Sequence, residues 1–167
     1  AGRCVLPAFT DAHVHFPTWA LARRDVHLED ADSIAAALKL VAAHPRAGGT
    51  WIRGTGWRYA AWEEHPTAAA LDAVTGATPS ALWSKDYHSL WLNSAGLARA
   101  GDDLEVPGGV VERDADGSPT GILREESAWR FRERFVTVTE DEWVEATRHG
   151  IQLANARGVA AIHDKDG

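Results

Sequence analysis

The sequence predicts an α/β fold in which parallel strands are joined by crossover helices. Strand-like apolar runs alternate with helix-periodic segments along most of the chain. A single stretch, 109–123, interrupts that alternation with a hairpin signature. The first apolar run ends in Asp11-Ala-His13-Val-His15, a cluster of chemically active side chains at a strand terminus. Alternation of this kind favours a parallel sheet, because parallel neighbours need a helical crossover between them.

Each element has a local reason. Residues 4–15 read as a strand that carries the histidines at its C-terminal end. Residues 31–44 read as a helix. Asp30, Asp32 and Ser33 offer capping oxygens, Ile34, Leu38 and Val41 share one face, and Pro45 with Gly48-Gly49 ends it. Residues 50–53 form a second strand, followed by a Gly54-Thr55-Gly56 turn and Trp57. Thr67 caps a short helix through Val74, stopped at Gly76. Residues 80–84 form a third strand that runs into Lys85-Asp86-Tyr87-His88, and Asn93-Ser94 opens a helix ending near Gly101. In 109–123 the Asp116-Gly117 pair is a strong turn signal between two strand-like runs. A helix covers about 125–135, and Thr139-Glu140-Asp141-Glu142 is a capping box opening a long helix to Arg157. Gly158 stops that helix, and 159–164 is a fourth strand. The segment about 102–140 thus reads as an inserted hairpin and helix.

The composition is that of a globular chain: 167 residues, 45% hydrophobic and 25% charged. A net charge of −7 with no basic cluster argues against nucleic acid or an anionic membrane as partner. No run has the length and apolarity of a bilayer span, and no signal peptide is visible. One cysteine, Cys4, excludes an internal disulfide and agrees with a reducing, cytoplasmic compartment. Cys4 itself is expected to be a buried strand residue.

Residues two apart on a strand point to the same side, so His13 and His15 can reach one metal ion together. Neutral imidazole is a common metal ligand and suits several divalent ions. The plainer alternative is two polar residues on an exposed strand face. Asp11 can orient a ligating histidine or bond its own backbone. Eight tryptophans are many for this length. Trp51, Trp83 and Trp91 read as core, whereas Trp57 is a candidate wall of a substrate pocket. Gly54-x-Gly56 lacks the third glycine and the following helix of a dinucleotide fingerprint.

The stretch Leu6-Pro-Ala-Phe-Thr-Asp-Ala-His-Val-His-Phe16 resembles the first-strand signature of the amidohydrolase superfamily. More narrowly, the chain resembles amidohydrolase family 3, the YtcJ-like branch. Gly54–Trp57, the Asp86-x-His88-x-x-x-x-Asn93-Ser94 block, Gly117–Glu125 and Gly158–Asp164 follow in the order expected of it. The resemblance implies a (β/α)8 TIM-type barrel, with metal bound at the C-terminal ends of the strands. It implies hydrolysis of a C–N bond in an amide, formamide or cyclic amide by one or two divalent ions, zinc the expected one. His13 and His15 carry over as metal ligands. The anion bridging two ions is either Glu125 or a carbamate formed on Lys85. The corresponding plain readings are a helix first-turn acid and a solvated lysine. Asp86, His88, Trp57 and Asn93 are candidates for substrate contact. Against that stand a polar loop in which His88 bonds a nearby carboxylate, and a helix cap for Asn93. His163, at the end of the fourth strand, is a further possible ligand.

A closed barrel needs eight strands and typically about 250 residues. Only about the first four are found here, with the hairpin as an insertion. The family's later histidines and its proton-shuttle aspartate cannot lie within 1–167. The expectation is therefore the N-terminal portion of a hydrolase, inactive alone, acting in its full-length form on a small-molecule amide. Unpaired strand edges should favour association, as a homo-oligomer or with another chain. The competing class is a non-catalytic half-barrel interaction module without metal; a third, ranked last, is an aromatic- or carbohydrate-binding domain built on the tryptophans.

Overall fold

The computed structural model describes residues 2, 4–45, 50–58, 62–101 and 103–165. The expected helix stop at Gly48-Gly49 lies outside the described residues. The elements run β1 (Phe9–Val14), α1 (Phe16–Ala22), β2 (Val26–His27), α2 (Ile34–Ala43), β3 (Ile52–Trp57), α3 (Ala68–Thr75), β4 (Ser80–Ser84), β5 (Ser89–Leu92), α4 (Ser94–Leu97), β6 (Gly109–Arg113), β7 (Pro119–Glu125), α5 (Glu126–Phe135), α6 (Glu140–Ala156) and β8 (Val159–Asp164). They form two compact units: residues 1–24 with 139–167, and residues 25–138.

In the first unit β1 and β8 pair in parallel, with Phe9 opposite Val159 and Val14 opposite Asp164. Helix α6 starts on the full capping box that the sequence announces. The Thr139 hydroxyl accepts from the Glu142 amide at 3.2 Å, and the Glu142 carboxylate accepts from the Thr139 amide at 3.1 Å. Gly150 lets α6 approach α1 closely: a Cβ there would stand 2.7 Å from Ala20 Cβ and 3.3 Å from Phe16 Cζ. Arg24 joins the two segments of the unit through the Glu145 carboxylate at 3.3 Å.

In the second unit a six-stranded sheet runs in the order β2-β3-β4-β5-β7-β6. Strands β2, β3 and β4 are parallel, and β4, β5, β7 and β6 are successively antiparallel. Both faces are covered. Leu82, Trp91 and Ile122 join one cluster with Val41 of α2 and Leu71 of α3. Their strand neighbours Ala81, Leu90 and Leu123 join the other, with Phe131 of α5. The period-two alternation of strands sorts adjacent residues into these two layers. Gly121, at φ 108°, runs past backbone so closely that a Cβ would lie 2.6 Å from the Leu92 carbonyl oxygen.

Several expectations need correction. The four strands expected in one parallel sheet fall into two sheets, and the larger sheet is mixed. The hairpin extends that larger sheet, because β7 pairs with β5. Strand β5 escapes notice because four residues, three of them consecutive apolar ones, have no readable period. Gly54-Thr55-Gly56 lies inside β3 and is not a turn. A Cβ on Gly54 would stand 2.7 Å from Leu82 and 2.9 Å from the Val26 carbonyl oxygen, so that glycine serves close strand packing. Residues 4–8 lie outside β1, and Cys4 is exposed.

Candidate functional site

The C-terminal end of β1 passes directly into α1, and the two histidines sit at that junction. His15 is the residue preceding the helix. The His13 and His15 ring centroids are 5.9 Å apart, at an interplanar angle of 72°. The pair sets two imidazole donors side by side, the donor type that suits a divalent cation. Asp11 does what its plainer reading says: its Oδ1 accepts from the His13 amide at 3.1 Å. At the end of β8, Asp164 Oδ1 accepts from the Phe16 amide at 2.8 Å and so satisfies a first-turn donor of α1. His163 is exposed on β8. Among the described residues, no group of three or more His, Cys, Asp or Glu side chains is arranged to hold a metal.

The remaining sequence candidates belong to the second unit. The loop after β4 is held by its own polar groups. Ser84 Oγ donates to Asp86 Oδ1 at 2.6 Å, the His88 amide donates to the same oxygen at 3.0 Å, and the Ser89 amide donates to Ser84 Oγ at 2.9 Å. The Ser84 hydroxyl, and after it the His88 amide, hold the Asp86 carboxyl below the usual carboxylate range. His88 Nδ1 donates to Glu125 Oε2 at 2.9 Å, and the Glu125 amide returns a bond to the His88 carbonyl oxygen at 2.9 Å. The hydrogen bond that His88 donates to Glu125, reinforced by the carboxylate's charge, raises His88 above the ordinary imidazole value. Trp129 lies edge-on to the His88 ring at 5.5 Å, and its indole nitrogen donates to the Tyr87 carbonyl oxygen at 2.9 Å. Tyr87 and Glu125 are the two non-glycine residues with positive φ among the described residues, at 61° and 52°. Such conformations cost energy and collect at functional sites.

A cleft of about 420 Å³ opens beside this loop. Arg58, Ser84, Lys85, Asp86, Ser89 and Arg124 line it, and Trp57 borders it. Trp57 exposes no surface; its indole nitrogen donates to the Leu82 carbonyl oxygen at 2.7 Å inside a Trp57–Trp62–Trp91 cluster. Trp57 therefore belongs to the core and is also a lining residue of the cleft, as expected of it. Asn93 is likewise fully buried. Its Oδ1 accepts from the Ser80 and Gly96 amides at 2.9 and 2.8 Å, and its Nδ2 donates to Thr75 Oγ1 and the Thr78 carbonyl oxygen at 2.8 and 2.9 Å. All its capacity is used within the fold, which corrects the substrate-contact expectation in favour of the helix cap. The structure thus brings His13 to His15, His88 to Glu125, and Lys85 and Asp86 into one cleft. It adds Arg58 and Arg124, which sequence reasoning passed over because only sheet order brings β3, β4 and β7 to one place.

The profile of the amidohydrolase family Amidohydro_3 matches residues 1–167, and the chain belongs to that family. It is 33% identical over 137 residues to an N-substituted formamide deformylase of Arthrobacter pascens, across 77% of this chain and 25% of that one. It is 26% identical to the putative amidohydrolase YtcJ of Bacillus subtilis, across 99% of this chain and 32% of that one. Its fold is similar to that of an uncharacterised metal-dependent hydrolase from Pyrococcus horikoshii, with a TM-score of 0.73 at 24% identity, covering 93% of this chain and 30% of the other. The chain therefore spans between a quarter and a third of the length of these relatives. No described helix is long and apolar enough to cross a membrane.

Proposed function

We propose that this chain contributes part of the active site of a metal-dependent amidohydrolase that cleaves a C–N bond in a small amide, formamide or cyclic amide. The observation that carries the reading is the His13–His15 pair at the end of β1, two imidazoles with ring centroids 5.9 Å apart. Membership of the amidohydrolase family and likeness to a formamide deformylase support the bond class. His13 and His15 hold a divalent ion, zinc in this reading. When bound, such an ion polarises the scissile carbonyl and lowers the pKa of water near it. In this reading Glu125, in the Leu123-Arg124-Glu125 block that the resemblance rests on, supplies the anion for a second ion in preference to a carbamate on Lys85. Asp86 and His88 contact substrate from the loop after β4.

In this reading β1 and β8 are two adjacent strands of a TIM-type barrel, and their parallel pairing supports it. Residues 25–138 then stand between them in sequence as an insertion wider than the 102–140 segment. The remaining ligands and the base that activates water come from sequence outside 1–167. The single exposed cysteine agrees with a cytoplasmic setting. The test has two parts. Loaded with Zn2+ and desalted, the chain should retain the ion, and H13A and H15A should each lose it. Given an N-substituted formamide, the chain alone should show no turnover, whereas a full-length relative carrying these residues should hydrolyse it. Failure to retain any ion would favour the non-catalytic interaction module.

A further inference from the structure

We propose that the cleft at the carboxyl ends of β3 and β4 is a binding site for a carboxylate, with the Arg58 guanidinium and the Lys85 ammonium as its partners. The inference does not depend on the hydrolase reading. Arg58 directly follows β3, Lys85 directly follows β4, and both line the same 420 Å³ opening. The strand ends are fixed to one another, because the Lys85 amide donates to the Trp57 carbonyl oxygen at 3.0 Å. The sheet also changes there from parallel to antiparallel pairing, between β4 and β5.

Charge decides the ligand. The chain as a whole carries −7, so a local concentration of cations goes against its general field. Among the described residues, three cationic side chains line the cleft: Arg58, Lys85 and Arg124. Arg124 is balanced by Glu112, which its Nε meets at 2.6 Å. Arg58 and Lys85 have no carboxylate partner among the described residues, and both are exposed. Asp86, the one acid in the lining among the described residues, spends its Oδ1 on the Ser84 hydroxyl and the His88 amide. Two uncompensated cations against one ionised carboxylate leave a single positive charge, which suits a monoanion. A planar carboxylate also matches the forked donors of a guanidinium. The proposal keeps Lys85 as an ammonium ion, so it assigns that residue to ligand binding and not to a carbamate.

Titration of the 15N-labelled chain with benzoate, benzamide and inorganic phosphate at constant ionic strength tests this. Benzoate should shift the Lys85, Asp86 and Ser89 amide resonances saturably, while benzamide, with the same ring and no charge, should leave them in place. K85M and R58M should each weaken benzoate binding about tenfold or more, as expected for loss of a charge-assisted hydrogen bond, and K85R should retain most of it. Both positions are exposed, so the variants should fold, and unchanged resonances from the core tryptophans would show it. The proposal is overturned if benzamide binds as well as benzoate, if phosphate binds more tightly than benzoate, or if the K85M/R58M double variant binds benzoate like the unsubstituted chain.

Discussion

His88 and Glu125 lie 37 positions apart in sequence. The antiparallel pairing of β5 with β7, Ser89 opposite Arg124, sets them side by side. The consequence is measurable. Glu125 raises the folded-state pKa of His88, so E125Q should lower the His88 titration midpoint toward that of an ordinary histidine, read by NMR of the ring protons. The linked stability is present below the unfolded-state pKa and fades as pH rises through the raised value. In E125Q that dependence should flatten, seen as a smaller change in urea midpoint between acid and neutral pH. At the end of β1, H13A should abolish retention of Zn2+, while D11A should leave it, because Asp11 bonds backbone. The closeness of His13 and His15 was legible because two-residue spacing on a strand fixes side. The capping use of Asn93 was legible too, because Asn before a short helix has a local job. Arg58 and Arg124 were not, because no local pattern encodes which strand ends meet.

At the level of elements, short-range chemistry was the readable part. The hairpin turn, the Thr67 cap, and the capping box of α6 all stand where residue type and spacing put them. Thr139→Ala should cost about 1 kcal/mol, and Thr139→Ser much less, in chemical denaturation. Helix α1 was missed. Its seven residues follow the strand without a capping side chain of their own, and the donor at its start is met by Asp164 from the far end of the chain. A distant partner leaves no mark in the local sequence. Gly121 shows the same limit: nothing beside it announces that β7 crosses Ala68 and Leu92 at contact distance. Gly121→Ala combines a positive φ with backbone collisions and should destabilise by more than about 2 kcal/mol, read as a lower midpoint in thermal unfolding.

For the molecule as a whole, alternation of strands and helices gave the α/β class but not the partition into sheets. Pattern reports what each strand buries, and pairing is decided by contacts distant in sequence. The β1–β8 pair shows this most plainly. Five of the six residues of β1 are exposed, Phe9 among them at 66%, and Val5 and Leu6 just before it are still more open. An apolar, two-stranded parallel ribbon of this kind invites pairing with further strands. The isolated chain should therefore self-associate in sedimentation velocity at micromolar concentration, and L6E/F9E should shift it toward monomer.

The 148 positions separating Phe16 from the carboxylate of Asp164 also set an order of events on the ribosome. The chain emerges N-terminus first, so β1 and its histidines leave the exit tunnel long before β8 has been translated. Residues 25–138, whose strands find all their partners within that span, can complete their sheet in the meantime. The imidazole pair acquires its supporting neighbour last. Force-profile measurements on arrested nascent chains should show folding tension first near the end of β7 and α5, and a second, separate peak only once β8 clears the tunnel.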